Sequence, residues 1–358
     1  MSTACSTKWW EHPDRLRCAR CRAASLPTEN SAHGRFTCLM ALSEFEIIDR
    51  YFRPRPPDRP EVVIGVGDDS AILRVPGCRD LAITVDTLVA GTHFSDDAEP
   101  DAIGYKALAV SLSDLAAMGA EPLCATLALT LPQADETWLE RFSGGFFHLA
   151  RRHALDLVGG NISRGPLTVS VTAHGTLPEG GALKRIGARP GDAIFVTGSL
   201  GDAALALEAL GGAHPEIAPY TDYLRTRLHR PAPRVAQGVA LRGLASSAID
   251  ISDGLTADLG HILAANAVGA VIELDRLPRS SALRALPELP RQWDLALGGG
   301  EDYELCFTVP EIHVDKLGAD LGGVSITRIG QIQRRAGLRF IDPRGTAFVP
   351  RFHGFRHF

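Results

Sequence analysis

The sequence lacks the features that identify several common classes of protein. It has no Lys/Arg block beside aromatic side chains, and its net charge is −5, so a nucleic-acid groove has little electrostatic support. Charge, Gly or Pro breaks every apolar stretch before the roughly 18 residues that a membrane span requires, so we predict no transmembrane segment. Neither a GxxxxGK[ST] P-loop nor an HRD…DFG pair is present. Any phosphoryl chemistry in this chain must therefore depend on metal ions.

Cysteine is scarce outside residues 1–39, which hold four of the seven. This segment shows no clear hydrophobic period and no secretory core, and apolar helical spacing begins at Met40, so we interpret it as an extension or a mis-assigned start. Its single CxxC, at positions 18–21, is weak support for a zinc site without a second pair. Cys124 and Cys306 lie in strand-like runs, which is typical of buried, reduced thiols in a cytoplasmic protein.

Strand-like and helical runs alternate after Met40, which predicts an α/β or α+β fold. In the first half we expect strands near 61–66, 81–86, 122–131 and 167–177, and helices at 101–118 and 135–153. In the second half we expect strands at 192–198, 248–251, 269–274, 303–309 and 325–332, and helices at 200–210, within 218–243, at 255–267 and at 311–320. The Gly-, Pro- and Arg-rich segment 178–192 separates a predicted domain 40–178 from a second domain 179–358.

Aspartates recur beside Gly, Ser or Thr at the ends of strand-like runs and within one helical run. They are Asp68 and Asp69 in GVGDDS, Asp86 in ITVDTL, Asp114 in SLSDLA, and Asp250 and Asp253 in IDISDG. Because Mg²⁺ prefers carboxylate oxygens, a fold that gathers these side chains would hold divalent cations. Phosphoryl transfer requires mainly positioning and charge neutralisation, which such ions could supply without a protein nucleophile.

Some of these carboxylates also have a structural interpretation. The pair Asp68–Asp69 is typical of a turn. Asp253 could complement the dipole of the following helix, with Ser252 at its N-cap. Asp114 lies within a helix-like run of small and apolar residues, where an unpaired charge is costly, so either Lys106 or a metal must compensate it, and we favour the metal.

Two further motifs carry candidate ligand contacts. His93 in AGTHF could hydrogen-bond a substrate phosphate, although a single histidine is as often structural. In GGGEDYEL, residues 298–305, three glycines allow close approach of the backbone to a ligand, and Glu301 follows them directly.

Together these segments resemble the thiamine-monophosphate kinase family, in the superfamily of aminoimidazole ribonucleotide synthetase and selenophosphate synthetase. The resemblance runs from about Glu44 to the final GFRHF and rests on GDDSA, TVDTLVAGTHF, SLSDLAAMGAEP, GGNISRGP, ISDGLTADL and GGGEDYEL, in the family's order. It implies direct transfer of the γ-phosphoryl group of ATP to thiamine monophosphate. It also implies two α/β domains, with the N-terminal sheet pairing across a homodimer and the active site between the domains.

The resemblance further assigns roles to individual residues. The implied magnesium ligands are Asp69, Thr84, Asp86, Asp114, Asn161, Asp250 and Asp253, of which the five aspartates carry the catalysis. The implied nucleotide contacts are Gly160, Asn161, Arg185 and Ser252, and the implied thiamine contacts are His93, Glu301 and Phe355. Asn161 departs from the aspartate that many relatives carry, so its ligand would be a neutral amide oxygen. Ser111 likewise stands where asparagine is frequent.

Two other functions remain compatible with the sequence. One is a different ATP-dependent reaction of the superfamily, activation of a substrate oxygen as in aminoimidazole ribonucleotide synthetase. The other is a noncatalytic sensor of thiamine phosphates or nucleotide, against which the number of carboxylates argues. A transfer assay with ATP and thiamine monophosphate distinguishes all three.

Overall fold

The computed structural model describes residues 44–53, 59–64, 66, 72–75, 77–210, 215–351 and 354. The predictions for the CxxC at 18–21, for Asp68 and Asp69, and for Phe355 lie outside these residues.

The N-terminal half is built on a four-stranded sheet. Its elements are α1 (Glu44–Ile47) and the π-helical turn Ile48–Phe52, β1 (Val62–Ile64), β2 (Ile72–Leu73), β3 (Arg79–Val89), α2 (Pro100–Ala117), β4 (Glu121–Leu131), α3 (Glu136–Arg152), β5 (Asp156–Arg164) and β6 (Thr168–Pro178). The sheet has the order β3-β6-β4-β5, in which only β4 and β5 run parallel, while β1 and β2 form a separate pair.

Helix α2 is buried around nearly its whole circumference because it packs between the sheet, α3 and the C-terminal half. Two glycines allow α2 and α3 to approach closely. A Cβ on Gly104 would lie 2.1 Å from the backbone oxygen of Phe142, and one on Gly145 would lie 1.8 Å from that of Asp101. Any larger residue at either position would therefore push the two helices apart.

The two faces of β3 differ in character, because successive side chains of a strand point to opposite faces. Leu81, Ile83 and Val85 are 40%, 60% and 63% exposed, on the face that the helices do not cover. Thr84 and Asp86 alternate with them and face α2. The strand therefore presents polar side chains to the protein interior and an apolar stripe to the outside.

A mostly antiparallel sheet of eight strands organises the C-terminal half. Its elements are β7 (Ala193–Thr197), α4 (Asp202–Leu210), the 3₁₀ turn Pro215–Tyr220, α5 (Thr221–His229), α6 (Val235–Ala240), β8 (Ser247–Asp250), α7 (Leu255–Asn266), β9 (Gly269–Glu273), the 3₁₀ turn Leu274–Arg276, α8 (Ser281–Arg284), α9 (Leu289–Gly298), β10 (Leu305–Val309), α10 (Glu311–Val314), β11 (Asp320–Leu321), β12 (Val324–Gln333), β13 (Gly337–Ile341) and β14 (Ala347–Phe348). The strand order is β14-β13-β9-β12-β7-β10-β8, with β11 beside β12.

The hydrophobic core runs continuously from one half to the other. Phe195 on β7 stacks on Phe307 of β10 with ring centroids 5.6 Å apart, and both belong to the same buried cluster as Leu112 of α2. Among the described helices, none is long and apolar enough to cross a membrane.

The predicted α+β class is confirmed, and most predicted elements are present within a few residues. The expected helix at 311–320 is wrong beyond its first turn, because the chain then enters β11, which pairs with β12. Strand β5 and helix α9 were not predicted. Strand β3 also continues to Val89, so Asp86 lies inside the strand and not at its end.

Candidate active site

Three aspartates approach one another where α2 passes between β3 and β8. Asp86 comes from β3, Asp114 from the last turn of α2, and Asp250 from the end of β8. A hydroxyl group donates to each. Ser111 Oγ lies 2.9 Å from Asp86 Oδ2, Ser113 Oγ lies 2.8 Å from Asp250 Oδ2, and Thr84 Oγ1 donates to Asp114. These hydroxyls fix the carboxylates but bring no positive charge.

Positive charge therefore compensates this cluster of carboxyl groups only in part. Burial, reinforced by the charge of Asp114, raises the pKa of Asp86 to about 6 and that of Asp250 to about 8. Burial also raises the pKa of Asp114, although the hydrogen bond from Thr84 and the positive charge of Arg185 both act to lower it. Because desolvation and like charges both disfavour ionised carboxylates, the cluster has a strong preference for cations.

The cluster does not form a closed metal cage. Among the described residues, no group of three or more His, Cys, Asp or Glu side chains is arranged to hold a metal ion. The aspartates are thus near enough to repel one another and too far apart to enclose a single ion. Mg²⁺ does not require such a cage, since one or two carboxylates, water and substrate phosphates normally complete its shell. The donor set therefore fits magnesium that arrives with a phosphorylated ligand.

Asp253 lies in a loop that another carboxylate organises. Asp258 Oδ2 accepts the backbone N–H groups of Ser252, Asp253 and Gly254 at 3.1, 3.1 and 3.0 Å. Helix α7 begins at Leu255, so the prediction that Ser252 is its N-cap is wrong. Burial and then the charge of Asp253 raise the pKa of Asp258 to about 7. The Asp253 side chain is therefore not needed to cap the N-terminus of α7.

A cavity of about 760 Å³ lies beside these carboxylates and is lined by both halves of the chain. Its polar lining includes Asp86, His93, Lys106, Ser252, Asp253 and Glu301, and its apolar lining includes Phe94, Leu207 and Leu228. A pocket of this size, with converging polar groups and apolar walls, is typical of a small-molecule site.

Lys106 forms an ion pair inside this cavity. Its side chain is only 2% exposed, and its ammonium group pairs with Glu301 and donates to the backbone oxygen of His93 at 3.2 Å. Lys106 therefore compensates Glu301, and it is not the partner of Asp114 that we considered. His93 Nδ1 accepts the N–H of Val89 at 3.0 Å, which leaves Nε2 to carry the proton of the neutral ring.

Glu301 is held in an unusual backbone conformation. Its φ is 69° and that of Tyr303 is 50°, in the left-handed region that residues other than glycine seldom adopt. The Glu301 N–H donates to the carbonyl oxygen of Ser252 at 2.7 Å, which ties the GGGEDYEL loop to the Asp253 loop. Such strain persists where the surroundings fix it and is common at functional sites.

The structure does not bring Gly160 and Asn161 to these aspartates within one chain. Asn161 on β5 pairs with Ala128 on β4, and Ala128 pairs with Ser170 on β6. Ser170 in turn pairs with Thr87 on β3. This row crosses three strand spacings, about 14 Å. It also lies on the uncovered face of the sheet, opposite to the face of Asp86. The role of Asn161 as an ion ligand therefore stays a prediction.

Arg185 lies in the exposed segment before β7, and its charge acts on Asp114. Sequence reasoning missed the parts played by Ser113 and Asp258. The position of Asp258, in the first turn of a predicted helix, was a usable signal, since an acid there can satisfy free N–H groups.

Comparison with known proteins agrees with this architecture. Residues 67–177 match the model of the AIR synthase related protein N-terminal domain, and residues 189–343 match that of the corresponding C-terminal domain. Thiamine-monophosphate kinase of Escherichia coli K12 is 50% identical over 325 residues, covering 89% of this chain and 99% of the relative. The enzyme of the same name from Salmonella typhimurium is 48% identical with the same coverage.

Solved structures give the same result. The crystal structure of thiamine-monophosphate kinase from Stenotrophomonas maltophilia K279a is 46% identical, with a TM-score of 0.79 over 86% of this chain and 99% of that one. AaThiL complexed with AMPPCP and TMP is 33% identical, with a TM-score of 0.70 over 82% of this chain and 92% of that one. With these identities over nearly the full length of its relatives, the chain belongs to the thiamine-monophosphate kinase family.

Proposed function

We propose that this chain transfers the γ-phosphoryl group of ATP directly to thiamine monophosphate, giving thiamine diphosphate and ADP. One observation carries the proposal: the carboxylates Asp86 and Asp253 line the same cavity as the apolar side chains Leu207 and Leu228. The cavity therefore combines a place for cation-bound phosphates with a surface for an organic ring. The relatives named as thiamine-monophosphate kinases, and the neighbour complexed with AMPPCP and TMP, support the same reaction.

Magnesium would be held by Asp86, Asp114, Asp250 and Asp253 with Thr84, and Asp69 and Asn161 belong to the same proposal. When bound, magnesium supplies positive charge that neutralises the transferring phosphates. The protein side chains contribute positioning. Hydroxyl groups hold two of the aspartates in place through Ser111 and Ser113, and Asp258 holds the Asp253 loop.

The remaining residues contact the two substrates. Arg185, whose charge acts on Asp114, would bind phosphate oxygens of the nucleotide, and Ser252, Gly160 and Asn161 are the other proposed nucleotide contacts. His93 would donate a hydrogen bond from Nε2 to a phosphate oxygen. Because the acceptor is itself a phosphate, already ionised at neutral pH, the reaction needs no strong general base.

Glu301 lies on the proposed thiamine side of the cavity, and Phe355 is a further proposed thiamine contact. The Lys106 ammonium group holds the Glu301 carboxylate, so Lys106 is a positioning residue in this mechanism. The Glu301 carboxylate would also attract the cationic thiazolium ring of thiamine by charge, without a hydrogen bond, because the quaternary ring nitrogen has no N–H.

We further propose a homodimer that pairs the uncovered face of the N-terminal sheet. Leu81, Ile83 and Val85 form an apolar stripe there, and exposed apolar side chains that lie together are typical of interaction surfaces. Asn161 lies on the same face, so a partner sheet would cover it. Residues 40–178 and 179–358 would be the two domains. The buried free thiols of Cys124 and Cys306 favour the cytoplasm.

The test is direct. The protein is incubated with MgATP and thiamine monophosphate, and thiamine diphosphate and ADP are quantified; we expect equal amounts of both. Asp253→Asn should abolish transfer in a protein that unfolds at the same temperature, while Asp315→Asn, an exposed position on α10's C-terminal side, should be fully active. Binding of both ligands without product would support a sensor and contradict the kinase proposal, and unchanged turnover of Asp253→Asn would contradict the metal role.

A further inference from the structure

A second cavity of about 460 Å³ lies in the C-terminal half and is lined by four arginines, Arg227, Arg234, Arg279 and Arg284. We call it the arginine pocket. Arg227 comes from α5, Arg234 from the turn before α6, Arg279 from the segment before α8, and Arg284 from the end of α8. Among the described residues, none lines both this pocket and the candidate active site. The arginine pocket therefore has no part in the chemistry proposed above.

Buried carboxylates already neutralise two of these arginines. Arg234 Nε and Nη2 donate to the two oxygens of Glu304, each at 2.6 Å. Arg227 Nη2 lies 3.2 Å from Glu304 Oε1, and Arg227 Nε lies 3.5 Å from Asp202 Oδ2. Glu304 and Asp202 are completely buried and cannot turn away to solvent. This inner pair is therefore balanced in charge and fixed in position.

The outer pair is not balanced. Arg279 Nη1 donates to the neutral side chain of Gln292 at 2.7 Å. Within the described part of the chain, no ion pair within 4.0 Å joins a carboxylate to Arg279 or Arg284. Burial and then the charge of Arg284 lower the pKa of Arg279, and the more distant Asp275 only partly opposes this effect. The two guanidinium groups thus repel each other across one side of the pocket.

Unused hydrogen-bond capacity accompanies this excess charge. The buried Nε atoms of Arg227 and Arg279 have no hydrogen-bond partner among the residues that the structure describes. A buried donor without an acceptor is costly, and a buried charged donor more so. The planar fork of a guanidinium group matches the oxygens of a phosphate group, which can accept from two arginines at once. A cavity of about 460 Å³ is also within the range of small-molecule sites.

We propose that the arginine pocket is a binding site for the phosphate group of a small molecule, separate from the candidate active site. The ligand pairs with Arg279 and Arg284, whose charges no carboxylate of the pocket neutralises. Arg227 and Arg234, held by Glu304 and Asp202, form the rigid inner wall. A dianion suits this arrangement better than a carboxylate, because two uncompensated positive charges face the cavity.

The experiment measures binding of inorganic phosphate and of glycerol phosphate to the full chain by calorimetry, in EDTA and at constant ionic strength. EDTA matters because, without divalent ions, the aspartates of the candidate active site repel anions. We expect saturable binding of one phosphate group per chain. Arg284→Gln should weaken it at least tenfold. Arg276→Gln, which removes an exposed arginine of the neighbouring 3₁₀ turn paired with Glu273, should leave it unchanged.

The two probes distinguish the source of the phosphate group. Equal affinities identify a site for free phosphate, and tighter binding of the ester identifies a phosphorylated metabolite; both outcomes support the proposal. Arg279→Lys is the second variant. It keeps one positive charge but loses the fork, so binding should weaken while the unfolding temperature without phosphate stays near that of the parent.

Three results would overturn the proposal: no saturable binding in EDTA, binding that Arg284→Gln and Arg279→Lys both retain, or acetate that binds as tightly as phosphate. The outcome is independent of the kinase proposal. Arg284→Gln should form thiamine diphosphate at the parental rate, so a loss of phosphate binding in EDTA cannot be confused with a loss of catalysis.

Discussion

The ion pair between Lys106 and Glu301 offers a quantitative test of the structure. Glu301→Gln keeps the size of the side chain and its backbone strain but removes the negative charge. It leaves the Lys106 ammonium group, which is 2% exposed, with the backbone oxygen of His93 as its remaining described partner. Breaking a buried pair in this way typically costs about 3–5 kcal/mol. Because Glu301 is 23% exposed and water can reach its position, we expect the lower end, about 3 kcal/mol.

The reverse change should cost less. Lys106→Met removes the ammonium group and leaves a carboxylate that is already partly hydrated, so we expect a loss of roughly 1–2 kcal/mol. The double variant has neither charge of the pair and should lie within about 1 kcal/mol of the parent, since replacing a buried ion pair by neutral side chains is often tolerated. The two changes should therefore be coupled by at least about 3 kcal/mol, far above the few tenths expected for independent sites.

Urea unfolding monitored by circular dichroism gives the free energy of unfolding of the parent, the two single variants and the double variant. The comparison is valid where the m value is unchanged. Lys316→Met, at an exposed lysine after α10, is the matched control and should change stability by less than about 0.5 kcal/mol. If the two substitutions add within about 0.5 kcal/mol, the pair does not exist as described and the position of Glu301 in the cavity is wrong.

Three further predictions follow from other parts of the structure. Asp258→Ala removes the acceptor of three backbone N–H groups and should cost about 2–4 kcal/mol in urea unfolding, with a loss below 1 kcal/mol contradicting its role. Asn161→Asp should give an equal or lower magnesium requirement in the transfer assay, because a charged oxygen replaces a neutral one; a higher requirement would exclude a ligand role. Ile83→Asp should convert the proposed dimer to a monomer in sedimentation experiments, whereas Ile312→Asp, at an 82% exposed residue of α10, should not. A dimeric Ile83→Asp protein would place the interface elsewhere.

Sequence reasoning located much of the fold because local patterns are clear where secondary structure is long. Helix α2 was predicted at 101–118 and lies at Pro100–Ala117, and α3 was predicted at 135–153 and lies at Glu136–Arg152. Strand β5 was missed because Gly159 and Gly160 interrupt any alternation, and its pairing with β4 decides its structure instead. Helix α9 was missed for a similar reason, since two prolines and a glycine segment flank a short apolar run.

The candidate site was predicted in part. The approach of Asp86, Asp114 and Asp250 was expected, because the aspartates recur beside small polar residues. The ion pair of Lys106 with Glu301 was not predicted, because a contact between α2 and the GGGEDYEL loop depends on how distant segments pack. The location of Asn161 illustrates the same limit. Its motif resembles a nucleotide-binding one, but only the register of four strands shows that it faces away from Asp86.

The position of the aspartates in the fold explains why we propose cations there. Asp114 lies on the most completely buried helix, and Asp250 is itself buried at the end of β8. Hydroxyl groups are the direct hydrogen-bond partners of Asp114 and Asp250. Hydrogen bonds therefore offset part of the cost of desolvation and mutual repulsion, and positive charge offsets it only partly. A lysine in place of Ser113 would relieve that repulsion but would also occupy space and cancel the negative charge on which the proposed magnesium binding depends. Under that proposal, a cation-bound phosphate would stabilise the cluster, so the charge imbalance that costs stability without ligand would strengthen ligand binding.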